Sequence, residues 1–203
     1  MAGGLTVQKR AIETRNKILS AAVELFAAGG MNGTSVDLIA ATAGVNKQRI
    51  YAYFGSKEKL FIAALTAVFK AAEPCSLSML QEAEEHPENL TSILLENFFK
   101  LHGDNPCFWR LLAWANLENA ALLENLSAVR SAENDGIRRI FLRAQKAGFI
   151  KDIPFEHYLF SLLAVSWFLK SNALTLHSTL DFDPCAEDFS AGLFSTLNGV
   201  FKR

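Results

Sequence analysis

The stretch that decides the fold is Thr34–Phe54, with the sequence TSVDLIAATAGVNKQRIYAYF. Its first part carries apolar residues at three- and four-residue spacing, which predicts an amphipathic helix. Gly44 then permits a tight turn, because glycine adopts left-handed backbone angles at little cost. Asn46 is a good N-cap for a second, short helix that places Ile50 and Phe54 on one face. Two helices joined in this way predict a helix-turn-helix.

The second helix of this stretch would expose side chains that suit the edges of bases in the major groove. Arg49 has the planar fork that pairs with guanine, and Gln48 has the amide that pairs with adenine. We therefore predict base contacts from Lys47, Gln48, Arg49 and Tyr53. The alternative is a helical hairpin with an ordinary solvated face, since helix-turn-helix patterns are loose.

Groups that bind phosphate surround this second helix. Hydroxyls, an ammonium and the amides of helix N-termini suit phosphate oxygens, which fix the register of a protein on DNA without reading its sequence. Thr34 also stands in capping-box-like spacing with Asp37, which predicts that the first helix of the stretch starts at Thr34. We predict phosphate contacts from Thr34, Ser35, Tyr51 and Lys57.

Helical patterns continue outward from the helix-turn-helix on both sides. A helix is predicted over about Val7–Ala28, ending at the pair Gly29–Gly30. Ser56 would cap a fourth helix over Lys57–Ala72, after which Pro74 marks a break. Further helices are predicted at Asn89–His102, Cys107–Ala120, Leu122–Ala147, Phe155–Leu176 and Pro184–Lys202. Strand signals are nearly absent, so the sequence predicts an all-α fold.

Charge is distributed unevenly along the chain. The net charge is −1, but residues 1–70 hold nine Lys and Arg against four acids, while the remainder holds eleven against seventeen. A basic front and an acidic back suggest that the front meets a polyanion such as DNA. Chance scatter of solvated charges is the alternative explanation.

The residue types that usually carry catalysis or metal binding are few and scattered. The three cysteines at 75, 107 and 185 and the four histidines show no ligand or disulfide spacing. No nucleophile, phosphate-loop or paired-carboxylate motif stands out. We therefore predict no enzyme activity, no metal and no cofactor.

Neither a targeting segment nor a membrane span is predicted. Residues 1–10 have no apolar core of the signal-peptide kind. The longest apolar stretch, Tyr158–Leu169, is too short to span a bilayer and is better explained as a buried helix. Reduced cysteines and the absence of these segments favour a cytoplasmic protein.

Several strings in residues 8–65 closely resemble the N-terminal domain of TetR-family transcriptional regulators. They are FAAGG at 26–30, GTSV at 33–36, IA at 39–40, AGV at 43–45, IYAYF at 50–54 and SKEKL at 56–60. The resemblance implies a three-helix DNA-binding domain at 1–55. It also implies a larger helical domain for ligand binding and dimerisation at 56–203, joined through the helix at 56–72.

The same resemblance implies a function. Members of the family are usually repressors that bind a palindromic operator as homodimers and are released by a small molecule. The family pattern puts base and phosphate contacts at the residues predicted above. One departure is the turn string Asn46–Arg49, NKQR, which is larger and more basic than the small or hydroxyl residues of many members. We therefore expect a more electrostatic contact with DNA.

The second half of the chain is rich in aromatic residues. An aromatic-lined cavity with a few polar groups would suit a flat or apolar effector, whereas an ordinary hydrophobic core is the alternative. The candidate effector-binding residues are Phe98, His102, Phe108, Trp109, Trp114, Asn116, Asn119 and Trp167.

The last two helical patterns are apolar around much of their circumference. They would form a four-helix bundle with a second copy, as the family resemblance implies, or they would be buried within one subunit. The candidate interface residues are Leu159, Leu162, Leu163, Ser166, Phe189, Leu193, Phe194 and Leu197. A helical signalling adaptor without specific DNA binding remains the alternative to a ligand-responsive regulator.

Overall fold

The computed structural model describes residues 2–118, 126–181, 183 and 186–203, and most of them lie in helices. Within these residues the α-helices are α1 (Ala2–Gly33), α2 (Val36–Ala43), α3 (Lys47–Phe54), α4 (Lys57–Glu85), α5 (Leu90–Asp104), α6 (Pro106–Glu118), α7 (Leu126–Lys146), α8 (Phe155–Ser171), α9 (Ala173–Thr179) and α10 (Glu187–Phe201). A short 3-10 helix, Pro87–Asn89, precedes α5. Over those residues the chain forms no strand, only an antiparallel bridge between Ile150 and Lys202. The predicted all-α fold is confirmed.

The chain divides into two compact units. The first comprises Met1–Ala71 and Pro106–Val129, and the second comprises Ala72–Asn105 and Arg130–Arg203. The helix α6 therefore packs with the N-terminal helices, although the sequence pattern placed it in the C-terminal part. The functional division at residues 55 and 56 stays a prediction.

Apolar side chains from five helices form the core of the first unit. Ile18 of α1, Ile39 of α2 and Ile50 of α3 are almost completely buried. The rings of Phe26 and Phe61 meet edge to face with their centroids 5.1 Å apart. Each such burial stabilises the fold by about 1.5–3 kcal/mol, so this core fixes α2 and α3 against α1.

The second unit has its own core, in which α5 packs against α8 and α10. Phe98 and Phe141 are buried there beside Tyr158. The hydroxyls of Tyr158 and Thr91 lie 3.0 Å apart, so the buried phenol has a hydrogen-bond partner. Burial raises the pKa of Tyr158 well above its usual range, which keeps the phenol neutral.

The predicted end of α4 differs from the structure. The helix α4 does not end near Ala72 but continues through Pro74 to Glu85. An internal proline costs about 3 kcal/mol or more, but Ala72 and Met79, on either side of it, are buried. Burial of the apolar face of α4 offsets the lost hydrogen bond.

The helix predicted at Phe155–Leu176 is broken into α8 and α9. Asn172 leaves helical geometry at φ −115° and ψ 15°. Its side-chain amide donates to the carbonyl oxygen of Phe168, at 3.2 Å, and to the hydroxyl of Ser171, at 2.9 Å. Asparagine competes in this way with the regular backbone pattern and favours helix ends.

Helix α4 satisfies the length and hydropathy criteria for a membrane span, although 44% of its apolar window is buried in the fold. Helices α8 and α9, bent by 75°, satisfy the criteria only when taken together. The core helix of a globular protein meets the same criteria, so these helices alone assign no membrane segment.

Candidate DNA-binding surface

The ends of α2 and α3 are fixed by local capping. The side chain of Ser35 accepts the backbone N–H of Leu38 at 3.1 Å, and that of Asn46 accepts the N–H of Arg49 at 3.0 Å. Gly44 closes α2 with φ 65° and ψ 37°, angles that favour glycine. The predicted turn and the Asn46 cap are as expected.

The N-cap of α2 is Ser35, one residue after the predicted start at Thr34. Thr34 is only 3% exposed, and its hydroxyl donates to the carbonyl oxygen of Leu25 at 3.1 Å. The buried hydroxyl ties the α1–α2 corner to α1, so this side chain cannot also reach a phosphate at the surface.

Burial on one side of α2 and α3 leaves the other side to solvent. Val36 and Ile39 of α2, with Ile50 and Phe54 of α3, face the core. The guanidinium of Arg15 lies over the ring of Phe54, 5.0 Å from its centroid, and covers its outer face. The core therefore orients α3 with its N-terminal turn outward.

The four predicted base-contact residues lie on this outward side. Lys47, Gln48 and Arg49 are consecutive and exposed in the first turn of α3, and Tyr53 is half-buried one turn later. Recognition helices of this class contact base edges mainly through N-terminal residues. The structure thus brings the predicted set together on one helix.

Three of the four predicted phosphate-contact residues flank that set. Ser35 and Tyr51 are exposed, and Lys57 is half-exposed at the start of α4. The hydroxyl of Ser35 accepts one hydrogen bond as the α2 cap, which leaves its own proton for an acceptor outside the fold.

An ion pair joins the two helices of the motif. The ammonium of Lys47 lies 2.8 Å from Oδ2 of Asp37, in the first turn of α2. This hydrogen bond raises the pKa of Lys47, so the ammonium stays charged. Sequence reasoning treated Asp37 only as a capping residue, because the ten-residue separation across a turn gives no periodic signal.

A second feature missed from the sequence is a joint between α1 and α6. The carboxylate of Glu118 accepts the backbone N–H groups of Met31 and Asn32 at 2.9 and 3.0 Å. Gly30 breaks α1 just before them with φ 70° and ψ 179°. A β-carbon on Gly30 would lie 2.8 Å from ring atoms of Trp114. Glu118 thus caps the last turn of α1 from a remote helix.

The predicted effector residues fall in both units. Phe98 and His102 of α5 are buried in the second unit, where the His102 ring meets that of Trp167 edge to face at 5.6 Å. In the first unit, Phe108 is buried, Trp109 and Trp114 are half-buried and Asn116 is exposed. Asn119 lies outside the described residues.

The cavities along the described part of the chain include two open ones, and neither of these is lined by a predicted effector residue. One, of about 550 Å³, lies along the start of α10 and includes Phe189 and Leu193. The other, of about 450 Å³, lies between α1 and the end of α2, beside Lys17 and Gly44.

The predicted interface residues divide by burial. Leu162 and Ser166 are completely buried within the subunit. The other six, which are half-exposed, are Leu159, Leu163, Phe189, Leu193, Phe194 and Leu197. Phe160 and Phe168 of α8 are more exposed, at 71% and 54%. The residues open to a second copy therefore include two phenylalanines that the sequence pattern did not single out.

Comparison with known families matches both halves of the chain. The family described as bacterial regulatory proteins, tetR family, matches residues 18–64. The family described as tetracyclin repressor-like, C-terminal domain, matches residues 87–197. The first match contains every residue predicted to contact DNA.

Curated relatives are similar over most of their length. The chain is 32% identical to the HTH-type transcriptional repressor NicS of Pseudomonas putida, over 96% of this chain and 93% of that protein. It is also 32% identical to the HTH-type transcriptional repressor SCO4008 of Streptomyces coelicolor, over 75% and 76% of the two chains. Identity to the HTH-type transcriptional regulator RutR of Escherichia coli is 32%, over 77% and 74%.

Solved structures share the fold. The putative transcriptional regulator SCO4942 of Streptomyces coelicolor superposes with a TM-score of 0.68 at 27% identity, over 93% of this chain and 98% of that one. HlyIIR, a hemolysin II transcriptional regulator, superposes with a TM-score of 0.71, over 95% and 99%. At 22% identity, the second comparison supports the fold alone.

Proposed function

This chain belongs to the TetR family of bacterial transcriptional regulators, and from that premise we propose that it binds a palindromic operator as a homodimer and is released by a small apolar or aromatic effector. It is a DNA-binding repressor of the helix-turn-helix type. Dimerisation and response to a ligand are typical of the family. We further propose that the protein acts in the cytoplasm and that its function needs no catalytic activity, metal or cofactor.

The observation that carries the DNA-binding part of the proposal is the exposed first turn of α3. Arg49 has a guanidinium fork that would pair with O6 and N7 of guanine, and Gln48 has an amide that would pair with N6 and N7 of adenine. Lys47 would donate to a further acceptor on a base edge. Because Tyr53 is half-buried, its contact would come from the outer edge of its ring.

Phosphate contacts would set the position of α3 in the groove. Ser35 and Lys57 lie at the N-termini of α2 and α4, where exposed amides and the helix dipole favour an anion. Tyr51 lies within α3 and would contribute its exposed hydroxyl. These contacts would supply affinity and register, whereas the first turn of α3 would supply sequence specificity.

Dimerisation is proposed through the exposed apolar faces of α8 and α10. Phe160, Phe168 and Val200 expose at least half of their surface in the single chain. Clusters of exposed large apolar side chains mark protein interfaces. Two copies would place their recognition helices one turn of DNA apart, about 34–36 Å, which requires a palindromic operator.

Effector binding is proposed at the aromatic residues of the C-terminal part. The contact between buried His102 and half-buried Trp167 supports this assignment, since an aromatic edge and an imidazole suit a flat ligand with a polar group. An effector releases DNA only if it binds the DNA-free conformation more tightly than the DNA-bound one. Labelled operator would be titrated with small aromatic and apolar compounds, and Trp167→Ala should lower the potency of any compound that releases it.

The first test is selection of duplexes from a random DNA library by the purified protein at near-physiological salt. Recovery of a palindrome with half-sites one turn apart is the expected result. Recovery of no motif, with binding that vanishes uniformly as salt rises, would reduce the basic face to non-specific attraction and favour the adaptor alternative.

A further inference from the structure

Asp37 is an acid in a surface that is otherwise basic or neutral. Between Thr34 and Lys57 it is the only Asp or Glu, among three Lys and Arg residues. It is 71% exposed at its side chain and belongs to the same short motif that is proposed to face DNA. Repulsion from phosphates makes such a carboxylate costly for binding, so its presence calls for a physical reason.

The ion pair between Asp37 and Lys47 contributes too little to the stability of the fold to explain why Asp37 is present. Both side chains are largely exposed, and exposed ion pairs contribute little to folding. Lys47 is the first residue of α3, where the helix dipole disfavours a positive charge. The carboxylate of Asp37, 2.8 Å away, compensates this placement and holds the ammonium at the N-terminus of α3.

An ammonium held in this way keeps two further N–H donors. One donor is taken by Asp37, and the others are available to acceptors on a base edge at the start of α3. A phosphate, in contrast, is an anion and would compete with the carboxylate of Asp37 for the positive charge of the Lys47 ammonium. The ion pair therefore favours a base acceptor over a phosphate as the partner of Lys47.

From this geometry we propose that Asp37 is a specificity-determining residue that positions Lys47 for base contact and lowers its attraction to DNA of any sequence. The inference rests on the proposed function, because it needs Lys47 to face base edges. In it Asp37 acts through Lys47 and makes no contact with DNA.

The test compares Asp37→Asn, Asp37→Glu and the wild-type full-length protein on two duplexes: the palindrome selected above and a scrambled duplex of equal length. In Asp37→Asn, Lys47 is released to phosphates. Affinity for the scrambled duplex should rise by about 3–10-fold, and its log–log salt slope should steepen by about 0.9. Affinity for the palindrome should not rise, so selectivity falls. Asp37→Glu keeps the carboxylate and should restore wild-type selectivity.

A second background separates positioning from simple repulsion. In Lys47→Gln, the further change Asp37→Asn should alter affinity for the scrambled duplex by less than about 2-fold, since its partner is gone. Glu24→Gln, which removes an exposed carboxylate from α1 of the same unit, is the matched control and should leave selectivity unchanged.

Each outcome decides the inference. An equal rise on both duplexes, or the same rise with and without Lys47, would show that Asp37 only repels DNA and would overturn it. Unchanged affinities in Asp37→Asn would overturn it as well. If the wild-type protein prefers no palindrome, the proposed function itself is wrong. If the wild-type protein prefers a palindrome and Asp37→Asn binds both duplexes with wild-type affinity, only the inference about Asp37 is wrong.

Discussion

At the scale of single residues, neighbouring basic side chains are expected to contribute differently to DNA binding. Arg49 stands in the exposed first turn of α3, whereas Lys57 is half-exposed at the start of α4. The guanidinium of Arg49, if it pairs with guanine, reads the base sequence, whereas the ammonium of Lys57 on a phosphate does not. Position within the motif therefore separates residues that look alike in composition.

We predict that Arg49→Ala weakens binding to the selected operator by about 1–3 kcal/mol and relaxes the preference at one base pair. Lys57→Ala should weaken binding to all sequences alike and reduce the salt slope by about 0.9. Affinities for single-base variants of the operator at several salt concentrations measure both effects. A uniform loss in Arg49→Ala would show that Arg49 contacts only the backbone.

The position of Gly30 requires a residue without a side chain. Its angles, φ 70° and ψ 179°, belong to a region that is essentially reserved for glycine. We predict that Gly30→Ala lowers the free energy of unfolding by about 1–3 kcal/mol from backbone strain alone, with more lost to the ring of Trp114. Chemical denaturation measures the change.

The matched control for this substitution is Gly33→Ala, three residues further on. A β-carbon there meets no other atom within 4 Å, and the backbone is not left-handed. Its effect should be within about 1 kcal/mol of zero. Equal losses in the two variants would contradict the steric role assigned to Gly30.

At the scale of elements, the joint between α6 and α1 depends on one carboxylate. Glu118 accepts two backbone N–H groups, from Met31 and Asn32, and hydrogen bonds to a charged group contribute about 1.5–3 kcal/mol. We predict that Glu118→Ala lowers the free energy of unfolding by that order and speeds amide exchange at Met31 and Asn32. Asn116→Ala, two residues away on α6, is the control.

The exchange measurement tests the contact itself as well as its energy. If Met31 and Asn32 exchange at wild-type rates in Glu118→Ala while stability falls, the lost stability comes from elsewhere on α6. If both stay unchanged, the capping role is wrong. The two amides are the specific readout because Glu118 is their acceptor in the fold.

The sequence predicted those elements whose ends are decided locally. The turn at Gly44 and the cap at Asn46 follow from single residues and their immediate neighbours, so the helix-turn-helix could be located within a residue or two. Thr34 was misjudged because its hydroxyl bonds to Leu25, nine residues back in another helix. The Glu118 joint spans 86 and 87 residues and leaves no periodic signal.

Helix breaks were harder to predict where tertiary burial competes with local preference. Pro74 indicated an end to α4, but buried neighbours carry the helix on to Glu85. Asn172, by contrast, breaks a pattern that looked continuous, because its side chain takes the carbonyl of Phe168. Packing decides where α4 ends, and the local side-chain hydrogen bond of Asn172 decides where α8 ends, so hydrophobic periodicity alone could not predict either helix end.

At the scale of the whole molecule, the exposed phenylalanines of α8 bear on oligomeric state. Phe160 is 71% exposed, and Phe168, about two turns further along α8, is 54% exposed. Neighbouring exposed apolar side chains of this size mark an interface, whereas a single one does not. We predict that Phe160→Glu shifts the protein from dimer to monomer at micromolar concentration, because a carboxylate buried in an apolar interface is strongly disfavoured. Light scattering measures the shift. Leu117→Glu, at an exposed leucine of α6, is the control and should leave the dimer intact.

The same variant links assembly to DNA recognition. A monomer still presents one recognition helix, so Phe160→Glu should keep weak binding to a single half-site. It should lose the added affinity that a palindrome gives when two linked sites bind together. A variant that stays dimeric would remove Phe160 from the interface. A monomeric variant that binds the palindrome as tightly as the wild type would show that operator affinity does not depend on the two-fold arrangement.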